Sequence, residues 1–200
     1  MAMLPGMSMG SEAMRILIAA LLLSTSLPAT AADIQIRGNA IYLTGILHAG
    51  DEYVFEAKTA SLPKGATLIL KSVGGSASST FRIGNAARDR RFATFVPDYC
   101  LSGCSLIFLA GLPRSMTNRA KIGFHRSRDK TDNSRTPLVD WIAAGYLQSM
   151  GYGPAVQEFA LSATPENMVF LTQADIERLG LQVTILTSRQ GASQALAHGP

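Results

Sequence analysis

Three parts that could carry chemistry stand in chain order, each at the end of a short apolar run. They are the diglycine Gly74-Gly75, Ser102 within Cys100-Leu101-Ser102-Gly103-Cys104, and His125 after Lys121-Ile122-Gly123-Phe124. Acyl-transfer hydrolysis needs backbone N–H donors for an oxyanion, a hydroxyl nucleophile and an imidazole base. Gly74, Gly75 and Gly103 are the candidate donors, Ser102 the candidate nucleophile and His125 the candidate base. No part is specific alone, and each has a plain structural reading. Ser102 precedes an apolar helix and could simply cap it, because a serine hydroxyl satisfies free N–H groups there. His125 could be a satisfied core histidine, and Gly74-Gly75 a turn that needs positive φ. Ser105 is a rival nucleophile, one turn inside the helix. His48 lies in an early loop and His198 in the tail.

These parts require strands that end together and a helix that starts at the serine. Ile34-Gln35-Ile36 and Ile41 to Leu47 read as strands around a Gly38-Asn39 turn. Asp51 is placed to cap a helix running to about Thr59. Thr67 to Lys71 is a short buried strand leading to the diglycine, and Ser78 to Arg90 is a helix. Phe92 to Val96 is the next strand, stopped by Pro97. Gly103 to Ala110 is an apolar helix closed by Gly111, and Ala120 to Phe124 is a strand. A polar loop follows, from Arg126 to Arg135. Pro137 opens a helix to about Ser149, and Pro154 opens another to about Leu161. Thr172 with Asp175 starts a short helix ending at Leu179-Gly180. Leu181 to Leu186 is a last strand, and from Thr187 the chain is a frayed polar tail. Strands alternating with helices predict an α/β domain with a parallel sheet.

The first 32 residues read as a processing segment. Arg15, the apolar run Ile16 to Leu23, Pro28 and the small residues Ala29-Thr30-Ala31-Ala32 have the layout of a secretory signal peptide. The run is shorter than the roughly 20 apolar residues that span a bilayer. Cleavage after Ala31 or Ala32 is expected, which makes the mature protein periplasmic or secreted; an uncleaved membrane anchor is the alternative. The segment carries one positive charge, Arg15, and one negative, Glu12, so the net charge of +4 survives its removal. The charges are scattered, and nucleic acid is not an expected partner.

Both cysteines flank Ser102. In an oxidising compartment a Cys100–Cys104 bond fits the spacing and would fix the serine turn; two buried thiols are the other reading. A zinc site needs at least three protein ligands, and only His125 is an obvious extra, so no metal or cofactor is expected.

The order strand, Ser-x-Gly-Gly, helix, strand, serine turn, apolar helix ending Leu109-Ala110-Gly111 and strand ending in His125, with the tail Phe170-Leu171-Thr172…Asp175…Leu179-Gly180-Leu181, resembles the Clp protease proteolytic subunit and its relatives in the crotonase-like superfamily, including signal peptide peptidase A. It is most similar to an exported branch with cysteines on both sides of the serine. The resemblance covers roughly Thr67 to Leu186. It implies a spiral of βαβ units over 33–186 with a protruding helical handle between His125 and Pro165. It places Ser102 on the family's nucleophile, His125 on its base, and Gly74 or Gly75 with Gly103 on the oxyanion donors. It also implies peptide or unfolded-protein substrates and a homo-oligomer assembled through the handle.

The chain departs from that pattern at the third triad member. Counting back from Phe170-Leu171-Thr172, the family's aspartate position falls on Thr164, with Glu166 nearby but out of register. A Ser-His dyad oriented by water or a backbone carbonyl could still work, at reduced rate; the other outcome is loss of catalysis. An exported chain also lacks cytoplasmic ATP and an unfoldase, so no ATPase partner is expected. The expectation is an ATP-independent serine peptidase; the alternative is a non-catalytic binding or assembly module with the same fold.

Overall fold

The computed structural model describes residues 32–187, apart from 130 and 133, together with Gln190. The expected signal peptide, except for its last residue Ala32, and nearly all of the tail lie outside the described residues. Among the described residues nine strands form one sheet. The elements, in chain order, are β1 Asp33–Arg37, β2 Ala40–Leu47, α1 Asp51–Thr59, β3 Thr67–Gly75, α2 Ala77–Asp89, β4 Ala93–Val96, β5 Tyr99–Leu101, α3 Gly103–Ala110, β6 Arg114–Thr117, β7 Lys121–Phe124, α4 Pro137–Ser149, α5 Pro154–Ala160, β8 Val169–Phe170, α6 Gln173–Arg178 and β9 Thr184–Leu186.

Most neighbours in the sheet are parallel, as the alternation of strands and helices predicts. The exceptions are the β1–β2 hairpin and the β7–β8 pair, both antiparallel. The sheet forks at β3. Its first residues pair with β4, from Thr67 with Ala93 to Ile69 with Phe95, whereas Ser72 further along pairs with Cys100 of β5. One branch continues through β6 to β9, and the other through β7 to β8. Alternation along the strands sorts side chains to two faces. Ile41, Leu43, Leu68 and Leu70 join the main core with Phe55, Ile83 and Ile107, whereas Ala40, Ile69 and Phe95 form a small cluster of their own.

Several elements differ from the sequence reading. β3 does not end at Lys71 but runs through the diglycine, where Ile46 and Leu47 of β2 still pair with Gly74 and Gly75 after a register shift. The α1 N-cap is Gly50, not Asp51. The Asp51 carboxylate instead reaches outward to the N–H groups of His48 and Ala32. Strands β5, β6 and β8 were not expected, being two to four residues long. The Thr172–Asp175 capping box is present in full.

Helix α3 is buried along most of its length, including Cys104, Ile107, Phe108, Leu109 and Ala110. Its C-terminal carbonyls gather a tyrosine and two arginines, and the negative end of a helix dipole favours the cations. The Leu109 carbonyl accepts from the Tyr152 hydroxyl at 2.6 Å, Arg114 at 3.3 Å and Arg88 at 3.5 Å. Arg114 also reaches the Gly111 carbonyl. The far end of the helix that starts at Ser102 is therefore pinned by three side chains from α2, β6 and the loop after α4.

Helix α4 docks on the body through Ala143, Tyr146 and Leu147, all buried. The Tyr146 hydroxyl sits over Gly84 of α2 and donates to the Leu106 carbonyl of α3 at 3.1 Å. A β-carbon on Gly84 would lie 1.9 Å from that hydroxyl oxygen, so the contact exists only because residue 84 has no side chain. The opposite face of α4 is different. Leu138 and Trp141 are 66% and 75% exposed.

Candidate active site

Ser102 bridges β5 and α3 in a backbone conformation that L-residues rarely adopt, φ 55° and ψ −126°. Such a position costs on the order of 1–3 kcal/mol and persists only where the surroundings enforce it. Three features enforce it here. The Ser102 N–H donates to the Gly123 carbonyl of β7 at 2.8 Å. Cys100 and Cys104 are joined in a disulfide that spans the turn, with Cα atoms 5.2 Å apart and both residues fully buried. Gly74 packs against the turn from β3.

The hydroxyl of Ser102 makes no capping bond to α3. Ser102 thus holds the N-cap position, but its hydroxyl satisfies none of the helix N–H groups. Ser105 is the opposite case. It is fully buried, and its hydroxyl faces the carbonyls of Cys100 and Gly123 at 2.9 and 2.6 Å. It ties β5 and β7 together and faces no cleft.

The diglycine divides its work. The Gly74 N–H is taken by the Ser72 hydroxyl at 3.0 Å, and that hydroxyl donates to the Gly45 carbonyl. Gly74 supplies close approach: at φ +82°, a β-carbon there would lie 2.6 Å from the Leu101 carbonyl oxygen and 2.7 Å from the Gly103 nitrogen. At Gly75 a β-carbon would come closer still, 2.1 Å from the Leu47 carbonyl oxygen.

His125 follows β7 and is half-buried. Its Nδ1 lies 2.6 Å from the Arg126 carbonyl oxygen. An oxygen of that kind only accepts, so Nδ1 carries the proton and Nε2 is the basic nitrogen. Burial pushes the imidazole below its ordinary pKa, and nearby Arg128 pushes in the same direction. The Arg126 carbonyl, Asp140 and Glu166 oppose that shift. The imidazole is thus neutral at pH 7, the state a general base needs.

Ser102, His125, Gly74, Gly75 and Gly103 line one cleft of about 780 Å³. Its apolar wall includes Phe81, Leu106, Val139, Leu161 and Met168, and its charged members are Arg128, Asp140 and Glu166. All five residues expected at the site from sequence are thus brought together. Asp140 was missed, since it reads in sequence as an ordinary first-turn acid of α4. Thr164, the position where the resemblance implies an aspartate, accepts from the Asn167 side chain. Among the described residues no three His, Cys, Asp or Glu side chains gather as metal ligands.

The forked, mostly parallel sheet, with a strained serine between strand and helix and a histidine after a neighbouring strand lining the same cleft, has a ClpP-like fold, as solved structures show. No protein-family model matches the chain, and no curated protein does. Among solved structures it is similar to an asparagine-to-aspartate mutant of ClpP1 from Listeria monocytogenes, with a TM-score of 0.50, 14% identity, and coverage of 76% of this chain and 94% of that one. It is similar also to a serine-to-alanine mutant of the membrane-bound stomatin-specific protease 1510-N, with a TM-score of 0.52, 16% identity, and coverage of 74% and 77%. At these identities the likeness establishes the fold alone.

The disulfide supports a prediction about geometry more than stability. It closes so short a loop that its removal costs about 2 kcal/mol by the loop-entropy model, or about 4–8 °C in Tm for a domain of this size. The double variant Cys100→Ala/Cys104→Ala is expected to stay folded in a thermal melt while losing at least about tenfold in the rate of Ser102 modification. Equal rates in the two proteins would show that hydrogen bonding alone holds the turn.

Proposed function

We propose that the chain is an ATP-independent serine hydrolase of peptides, with Ser102 as nucleophile and His125 as general base. The observation that carries this reading is the pairing within one cleft of an uncapped, strained serine and a histidine whose Nδ1 is fixed, leaving Nε2 as the base. In the first step Nε2 takes the proton from Ser102 Oγ as that oxygen attacks the scissile carbonyl. The N–H of Gly103 at the start of α3, with that of Gly75, receives the developing oxyanion. The imidazolium then returns the proton to the leaving amine, and water repeats the sequence on the acyl-enzyme. The apolar wall of Phe81, Leu106 and Met168 suits an apolar side chain beside the scissile bond.

Export is part of the proposal. The Arg15, apolar-run and small-residue pattern supports it, as does a disulfide, which persists in oxidising compartments. Self-assembly is supported by the outward face of α4, where Leu138, Trp141 and Ile142 leave more apolar surface in water than a lone helix normally carries. Light scattering on the chain from Asp33 at micromolar concentration is expected to give a mass above that of one subunit; a monomer counts against the idea.

A serine-directed phosphonate tests the catalytic reading. Peptide mapping is expected to find the adduct on Ser102 and none on Ser105. A folded wild-type protein that takes no label sinks it and leaves the non-catalytic binding module.

A further inference from the structure

His125 has no carboxylate on its Nδ1, yet a buried carboxylate lies one peptide unit away. The Arg126–Ser127 peptide presents its carbonyl to His125 Nδ1 at 2.6 Å and its N–H to Asp140 Oδ1 at 2.7 Å. A trans peptide points these two groups in opposite directions, so imidazole and carboxylate occupy its two ends. Asp140 is 5% exposed. Its Oδ1 also accepts from the Ser127 hydroxyl at 2.7 Å, and its Oδ2 is paired with Arg135 Nε at 2.9 Å. The preceding His125–Arg126 peptide is anchored as well, since the Arg126 N–H donates to the Ala163 carbonyl at 3.0 Å.

We propose that Asp140 is the positioning acid of this site, acting on His125 through the Arg126–Ser127 peptide group instead of by direct contact. This deepens the Ser102–His125 reading and rests on it. A carboxylate bound to an amide N–H draws that proton and pushes electron density onto the carbonyl oxygen of the same unit. The carbonyl becomes a stronger acceptor for Nδ1–H, which fixes the tautomer and raises the basicity of Nε2. When Nε2 takes the Ser102 proton, the new positive charge lies at the far end of a polarised chain that terminates in a negative one. No proton passes along that chain: Nδ1 keeps its hydrogen, the Ser127 nitrogen keeps its own, and Asp140 remains a carboxylate throughout. The arrangement also accounts for Thr164, because a helix residue upstream, reaching through backbone, replaces the acid that the resemblance places there.

The sign of the pH dependence separates this role from a purely structural one. The charged groups facing His125 are Arg128, Asp140 and Glu166. Asp140 favours the imidazolium, so its neutralisation lowers the pKa of His125 further. A base must be deprotonated to act, and its rate falls as pH drops through its pKa. Asp140→Asn is therefore expected to move the acid limb of the labelling profile to lower pH while lowering the plateau about tenfold, what one charge-assisted hydrogen bond is worth in rate. Loosened packing alone would lower the plateau and leave the limb where it was. Arg135→Gln, which frees Asp140 from its cation, is expected to move the limb the other way. The experiment is an NMR titration of the ¹⁵N-labelled imidazole in wild type, Asp140→Asn and Arg135→Gln, run beside the pH profile of phosphonate labelling. Opposite pKa shifts in the two variants, with the reduced plateau in Asp140→Asn, support the proposal; an unmoved His125 in both overturns it. If the wild type takes no label, the titration still decides the coupling, so the hydrolase reading and the relay fail separately.

Discussion

Ser102→Ala and His125→Ala are each expected to lower peptide or activated-ester hydrolysis by at least about 10³-fold, and the double variant is expected to fall no further. A nucleophile and its base act as one unit, and losing either removes the whole. Each single change touches few other contacts. Ser102 Oγ makes no capping bond, and among the described residues the His125 side chain bonds through Nδ1 to the Arg126 carbonyl. Thermal stability is therefore expected to hold while activity vanishes. Ser105→Ala gives the reverse. It strips the hydroxyl that faces two buried carbonyls, with an expected cost of about 1–3 kcal/mol, and leaves labelling in place. Glu166→Gln is expected to cost little, because its carboxylate only faces His125 from a distance and bonds locally around Thr164. Initial rates and melting curves on the five proteins decide this, and additive losses for Ser102 and His125 would dissolve the dyad.

Gly74→Ala is the second change with a large expected effect, and Gly65→Ala is its control. Both glycines have φ +82°, so both variants carry left-handed backbone strain, on the order of 1–2 kcal/mol. They differ in what the new methyl group meets. At Gly65 nothing lies within 4 Å. At Gly74 the neighbours are the Leu101 carbonyl oxygen, the Gly103 nitrogen and Ser102 Cβ, at 2.6, 2.7 and 2.9 Å. Two of these are backbone atoms of the nucleophile turn, which yields only by moving Ser102. Misplacing a reacting group by about 1 Å costs about 10²-fold. Gly65→Ala is therefore expected to lower Tm by a few degrees with full activity. Gly74→Ala is expected to lower it further and to lose at least about 10²-fold in rate. Comparable rates would mean that the turn is not in contact with β3.

Residue types and spacing carried the helices and longer strands of this fold into view, because their periodicity is long enough to read. Helix α3 was legible to the residue, framed by Ser102 and Gly111. Strands β5, β6 and β8 were not, since runs of two to four residues leave no alternation, and Arg114 in β6 is buried for the sake of a helix end. At the site, Ser102, His125, the glycines and the disulfide were legible as side-chain types. What was hidden lay in the backbone. No residue letter announces that the Arg126 carbonyl holds the imidazole, or that Ser72 occupies the N–H of Gly74. Asp140 was overlooked for a related reason, because its link toward His125 runs through the main-chain N–H of Ser127.

The seat of the Tyr146 hydroxyl over Gly84 has an evolutionary consequence. Two positions far apart in sequence share one volume: the hydroxyl fits only while residue 84 has no side chain, and it holds the rotation of the helix that also bears Asp140. A lineage that gains a side chain at position 84 must give up the tyrosine, shifting Asp140 relative to the Arg126–Ser127 peptide. Descendants of this chain should therefore inherit the glycine and the tyrosine together or lose them together, and those that lose them should also have released position 140.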